Sequence, residues 1–222
     1  MRTLQRCLDL CNQDSSLQLW AFDLPPSTAG GAAAPKRYVA ARAMDFSSAC
    51  MALPQEQRHA YEIVRKSKPC WAFFDLERLE CTGEANACAR EIARVASGLL
   101  IERALELLGR AVSVQVLALG SSRPGKFSRH LILRVRAEPC GTPVMLSGPP
   151  AAGALARAVV SRLPAEGALV DLAVYGADRC FRLWGSSKLG APAGVLALNA
   201  SRSSSSAAGL EGELLLRVCP VR

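Results

Sequence analysis

Three short stretches place acidic or basic groups at the ends of apolar, strand-like runs: Phe74-Asp75-Leu76-Glu77, Lys126-Phe127-Ser128-Arg129-His130, and Val170-Asp171 with Arg182 and Ser186-Ser187-Lys188 behind it. On an extended chain alternate residues share a face, so Asp75 and Glu77 project together and repel each other unless a cation sits between them. Oxygen ligands of this kind suit hard divalent ions such as Mg²⁺ or Mn²⁺. An acid-x-acid pair is a weak signal by itself in a chain with 19 acidic residues. Its setting behind Trp71-Ala72-Phe73-Phe74, where an unpaired carboxylate is costly, strengthens it.

The same alternation puts Lys126, Ser128 and His130 on one face. An ammonium, a hydroxyl and an imidazole can all donate hydrogen bonds to phosphate oxygens. Asp171 is a third carboxylate inside an apolar run, where the plainer reading is a strand-end Asp making a turn. Arg182 stands between Phe181 and Leu183, and a buried pairing with Asp171 alone would be expensive. Lys188 lies in a flexible segment, residues 185–190, from which a cation can reach a triphosphate. Three carboxylates with a cluster of cations are what metal-dependent handling of a nucleoside triphosphate requires. Gly120-Ser121-Ser122-Arg123-Pro124-Gly125-Lys126 matches the start of a Walker A loop. That reading fails because Phe127 replaces the hydroxyl residue and a strand, not a helix, follows.

The elements that must position these groups are legible from periodicity. Residues 3–12 have helical spacing, 17–24 and 36–43 read as strands, and 25–35, rich in Pro, Gly and Ala, reads as a surface loop. Residues 47–53 and 55–63 look helical, and 71–76 reads as a strand. Thr82 can cap a long helix that Gly109 ends, carrying Ile92, Ala96, Leu99, Leu100, Ala104, Leu107 and Leu108 on one face. Residues 112–119 and 126–135 form a predicted hairpin, 151–163 a helix, 169–174 and 180–184 strands, 201–209 a low-complexity loop and 213–218 a last strand. The class is mixed α/β, and from residue 71 onward the order is close to a split βαβ arrangement.

At 222 residues the chain can bury a sizeable core. A formal charge of +8 and a pI near 9.2 favour a polyanionic partner. No apolar run approaches the roughly 20 residues of a membrane span, and the N-terminus lacks a secretory h-region, so an intracellular protein is expected. Cys7, Cys11, Cys50, Cys70, Cys81, Cys88, Cys140, Cys180 and Cys219 include no Cys-x-x-Cys pair, so buried reduced thiols are expected, not a zinc site.

Taken together, these residues resemble the catalytic core of the PrimPol-type primase-polymerases of the archaeo-eukaryotic primase superfamily. The resemblance runs from about Lys36 to Leu189. Its anchors are His59-Ala60-Tyr61-Glu62-Ile63-Val64 leading to Phe74-Asp75-Leu76-Glu77, then Lys126 to Ile132, Asp171 to Tyr175, and Arg179 to Lys188. The family's Asp-x-Glu, Ser-x-His and single-Asp motifs all match. The resemblance implies a single two-lobed α/β core: residues 1–70 mostly an N-terminal lobe, and 71–222 mostly an RRM-like lobe whose mixed sheet carries the metal site. It implies that Asp75, Glu77 and Asp171 are catalytic and hold two divalent ions, Mn²⁺ or Mg²⁺. Lys126, Ser128, His130, Arg182 and Lys188 would bind the incoming dNTP or NTP, and Arg37 would contact nucleotide or template. The implied partners are a DNA template-primer and, through regions outside this chain, a single-stranded DNA-binding protein. The implied state is monomeric, and the compartment is the nucleus, the mitochondrion or another DNA-containing organelle. The family's Cys/His zinc module is absent, so extension of an existing primer is expected ahead of initiation. The competing readings are an inert RRM-like module that binds single-stranded nucleic acid and a metal-dependent phosphohydrolase.

Overall fold

A computed structural model describes residues 3–25, 35–79, 83–191 and 194–198. In chain order the elements are α1 (Leu4–Gln13), β1 (Gln18–Asp23), β2 (Lys36–Ala41), α2 (Ala43–Met51), β3 (Ala60–Val64), β4 (Ala72–Arg78), α3 (Gly83–Leu108), β5 (Val112–Gly120), β6 (Phe127–Ala137), β7 (Thr142–Val144), α4 (Pro149–Arg162), β8 (Arg179–Arg182) and β9 (Ala197–Leu198). The described part is thus α+β, with two antiparallel sheets and four α-helices. One sheet has the order β2-β1-β3-β8; the other runs β4-β6-β5-β9, with β7 beside β6.

Thr3 caps α1 by accepting from the Arg6 N–H. The apolar side of α1, through Cys7 and Cys11, packs on Leu19, Ala21, Tyr61 and Ile63 of the first sheet. The opposite face of that sheet is covered by α2, whose Phe46 stacks on Trp20 with ring centroids 4.4 Å apart. The second sheet is built around the long strand β6. Ala85, Ala89, Ile92, Ala96, Leu100 and Ala104 recur every three or four residues along α3 and are all buried in the main core with the sheet. Alanines at most of these positions bring the helix backbone close to the strands.

Residues 55–63 are not helical as expected. Gln55–Gln57 make one 3₁₀ turn, and Ala60–Val64 form a strand buried at all five positions between β1 and β8. A strand covered on both faces has no polar alternation to reveal it. Residues 169–174 also depart from the expected strand: Glu166–Leu169 and Leu172–Tyr175 are 3₁₀ turns, and only Val170 bridges to Leu76. The Asp171 carboxylate accepts from the Ala173 N–H at 2.8 Å, a local bond that competes with a sheet ladder. The strand after it, β8, joins the first sheet, so the split βαβ order of the second sheet ends in a single bridge beside β4. Cys7, Cys11, Cys50 and Cys70 are buried free thiols, but Cys88 and Cys180 are half-buried and Cys140 is exposed. The expectations for most of residues 25–35, for Thr82, Cys81 and Cys219, and for 201–209 and 213–218 lie outside the described residues.

Gly153 is where α4 presses on the turn that carries Asp171. A Cβ added there would meet the Tyr175 Cβ at 2.9 Å, while the Tyr175 hydroxyl donates to the Phe73 carbonyl at 2.7 Å. Gly153→Ala is therefore expected to destabilise the protein by about 1–3 kcal/mol despite alanine's better helix propensity. Urea unfolding measures this, and a stabilised variant would refute the close packing.

Candidate active site

In the β4–β6 ladder Asp75 lies opposite His130 and Glu77 opposite Ser128, so all four side chains share one face. The third carboxylate is docked onto this pair by backbone: the Asp171 N–H donates to the Asp75 carbonyl at 2.9 Å. The sheet and one turn thus bring together residues far apart in sequence.

Burial, then the neighbouring Glu77 and Asp171 charges, push the Asp75 carboxyl up to about 7, against a weaker opposing pull from Lys188 and Arg182. Its Oδ1 is buried without a hydrogen-bond partner. The His130 Nε2 is 3.6 Å away, beyond hydrogen-bond distance. Burial, together with Arg182 and Lys188, holds that imidazole neutral, with its pKa pushed down to about 3, so the two groups form no ion pair. The imidazole instead rests against the Phe181 ring, centroids 4.2 Å apart. For Glu77, burial opposes ionisation. The Lys126 hydrogen bond and the charges of Lys188, Lys126 and Arg182 outweigh it and hold the carboxyl below its usual value. The Lys126 Nζ is 2.8 Å and the Lys188 Nζ 3.7 Å from its oxygens.

Arg182 is buried and fixed at both ends of its guanidinium. Nη1 donates to the Gly194 carbonyl and Nη2 to the Ser121 hydroxyl, each at 2.8 Å. Ser121 in turn donates to the Ser128 hydroxyl at 3.1 Å, while Ser122 makes two bonds to the Ser128 backbone. The loop dismissed as a Walker A motif thus supplies the parts that hold Arg182 and Ser128. Their polar side chains sit in a turn without periodicity, and only their closeness to Lys126 hints at a role. The segment 185–190 is anchored, not flexible as expected: Ser186 and Ser187 are buried, and the Gly185 and Ser187 N–H groups donate to Leu196 and Arg58 carbonyls. Lys188 projects from this fixed turn.

Lys126, Ser128, Arg182 and Lys188 line one cleft with Ser121, Arg123 and Glu77. Arg37 does not join them. It pairs with Phe22 in the β1–β2 ladder and lies over that ring at 5.8 Å, on the face covered by α2. Arg182 aligns through Tyr61 and Ala21 with Tyr38, on the other face. The cation sharing that face is Lys36, which pairs with Asp23 and lies 4.2 Å over the Tyr61 ring. The Tyr61 hydroxyl also donates to Asp23, at 2.6 Å.

Among the described residues no three His, Cys, Asp or Glu side chains converge as a finished metal cage. The chemistry of the donors nevertheless fits a hard divalent ion: a half-buried carboxylate with one buried, orphaned oxygen beside two further carboxylates. No protein-family model matches the chain, and no curated protein matches it. Among the described residues no helix is long and apolar enough to cross a membrane.

Proposed function

We propose that this protein is a DNA-directed primase-polymerase that transfers nucleotides from dNTPs or NTPs onto a primer 3′-hydroxyl. The observation that carries the reading is the half-buried Asp75 carboxyl, whose buried Oδ1 is unpaired and which feels the charges of Glu77 and Asp171, with Glu77 alone of the three lining the cleft of cations. Asp75, Glu77 and Asp171 would hold the divalent ions, Mn²⁺ or Mg²⁺. Such ions, when bound, supply positive charge against the attacking hydroxyl and the departing pyrophosphate.

The remaining work is positioning, which suits a chemistry that needs no covalent nucleophile. Lys126 and Lys188, now shared by Glu77, are placed to turn toward phosphate oxygens. Arg182 presents a guanidinium whose orientation is set by Ser121 and Gly194. His130, being neutral, offers one N–H donor and no charge. The chain's net charge of +8 favours the polyanionic template-primer. An inert single-stranded nucleic-acid binder would have no use for the Asp75 arrangement, which burdens the fold.

Primer extension on a DNA template with Mn²⁺ and deoxynucleotides tests the assignment. The parent is expected to extend, and Glu77→Ala and Asp171→Ala are each expected to lose about 10²-fold or more in rate. Absence of extension by the parent, or undiminished extension by both variants, rejects the polymerase reading.

A further inference from the structure

Arg123 stands at the mouth of the cleft, on the turn between β5 and β6. Its N–H donates to the Lys126 carbonyl and its carbonyl accepts from the Lys126 N–H, both at 2.9 Å, so the two residues are held at a fixed spacing. The side chain is exposed, and among the described residues no carboxylate pairs with it, whereas Lys126 and Lys188 share Glu77. Its charge is also close enough to be felt at Arg182, where it disfavours the protonated form. Among the described residues the lining of the cleft therefore sets Arg123, Lys126, Arg182 and Lys188 against the single carboxylate of Glu77. Like charges gathered this way repel one another until an anion enters.

An orthophosphate can satisfy only part of such a row, while a linear polyphosphate spreads several charges along it. The outermost phosphate carries the most unshared oxygens, and a guanidinium presents a planar fork that grips two of them. We propose that Arg123 binds the terminal phosphate of a polyphosphate chain, so that the cleft favours a triphosphate over shorter anions. This assignment rests on the reading of the cleft as a triphosphate site and gives it a length preference.

Calorimetric titration of the whole chain with inorganic tripolyphosphate, pyrophosphate and orthophosphate tests it, without template, primer or divalent ions. The parent binds tripolyphosphate most tightly. Arg123→Gln, an exposed substitution that leaves the packing untouched, weakens tripolyphosphate roughly tenfold, as expected for one lost charge-assisted contact, and leaves orthophosphate unchanged. Arg123→Lys recovers part of the loss. Equal tripolyphosphate affinity in Arg123→Gln, an equal loss for all three anions, or a loss confined to single-stranded DNA overturns the proposal. Failed primer extension with intact tripolyphosphate discrimination would reject the polymerase reading while leaving this site standing.

Discussion

Asp75→Asn is expected to abolish primer extension and, at the same time, to make the protein harder to unfold at neutral and alkaline pH. In the folded chain burial, Glu77 and Asp171 raise the carboxyl from 3.8 to about 7. The folded state therefore keeps, between those values, a proton that the unfolded chain has already released. Stability falls as pH rises from about 4 to about 7 and stays low above it, by on the order of 4 kcal/mol for a shift of this size. Asparagine keeps the shape and cannot ionise. Its stability should exceed the parent's at pH 8 by several kcal/mol, converge with it near pH 4, and lack this descending limb between. Urea unfolding at pH 4 and pH 8 measures both. Extension should drop by about 10²–10³-fold or more, since the variant removes one of the three carboxylates proposed to hold the divalent ions. An inactive variant with no gain in stability at pH 8 would show that Asp75 is not held in the energetically poised state described here.

The second large effect is expected at Arg182, where lysine should fail as a substitute. The guanidinium spans two acceptors, the Gly194 carbonyl and the Ser121 hydroxyl, and a single ammonium on a flexible stem cannot reproduce that fork. The buried Gly194 carbonyl left unpaired costs about 1–3 kcal/mol, and the Ser121 hydroxyl, though it keeps Ser128, loses its charged donor. Arg182→Lys should therefore lower stability by a few kcal/mol and weaken nucleoside triphosphate binding by roughly 100-fold, because the charge is displaced as well as the hydrogen bonds. Arg182→Met should bind no better. Titration with a nucleoside triphosphate beside denaturant unfolding separates the two effects, and full affinity in Arg182→Lys would sink the role given to the fork.

Much of this site was legible because a strand alternates. Counting in twos put Asp75 and Glu77 on one face of their strand and Lys126, Ser128 and His130 on one face of theirs; the ladder then pairs Asp75 with His130 and Glu77 with Ser128, a step no count within one strand supplies. The same counting shows where the reading stopped. Arg37 and Lys36 are neighbours, yet only Lys36 shares the face of Arg182, a choice that depends on pairing across three other strands. Residues 60–64 lost their strand signature because both faces are covered. Asp171 turned out to cap its own turn as well as flank Asp75, a competition between a local and a distant partner that no pattern in the chain ranks. Ser121 was hidden for another reason: its importance lies wholly in what it touches.

The strand β8 belongs to one sheet, while Phe181, its central aromatic, is wedged against the other, 5.2 Å from the Phe73 ring and 4.2 Å from the His130 ring. The gap between the acids on β4 and the guanidinium on β8 is therefore gauged by rings in contact, edge-on against Phe73 and tilted against His130. A spacer of that kind keeps its thickness when salt or pH changes, as an ion pair would not. The cleft is a caliper with aromatic stops, and its jaws hold their setting while the charges between them come and go.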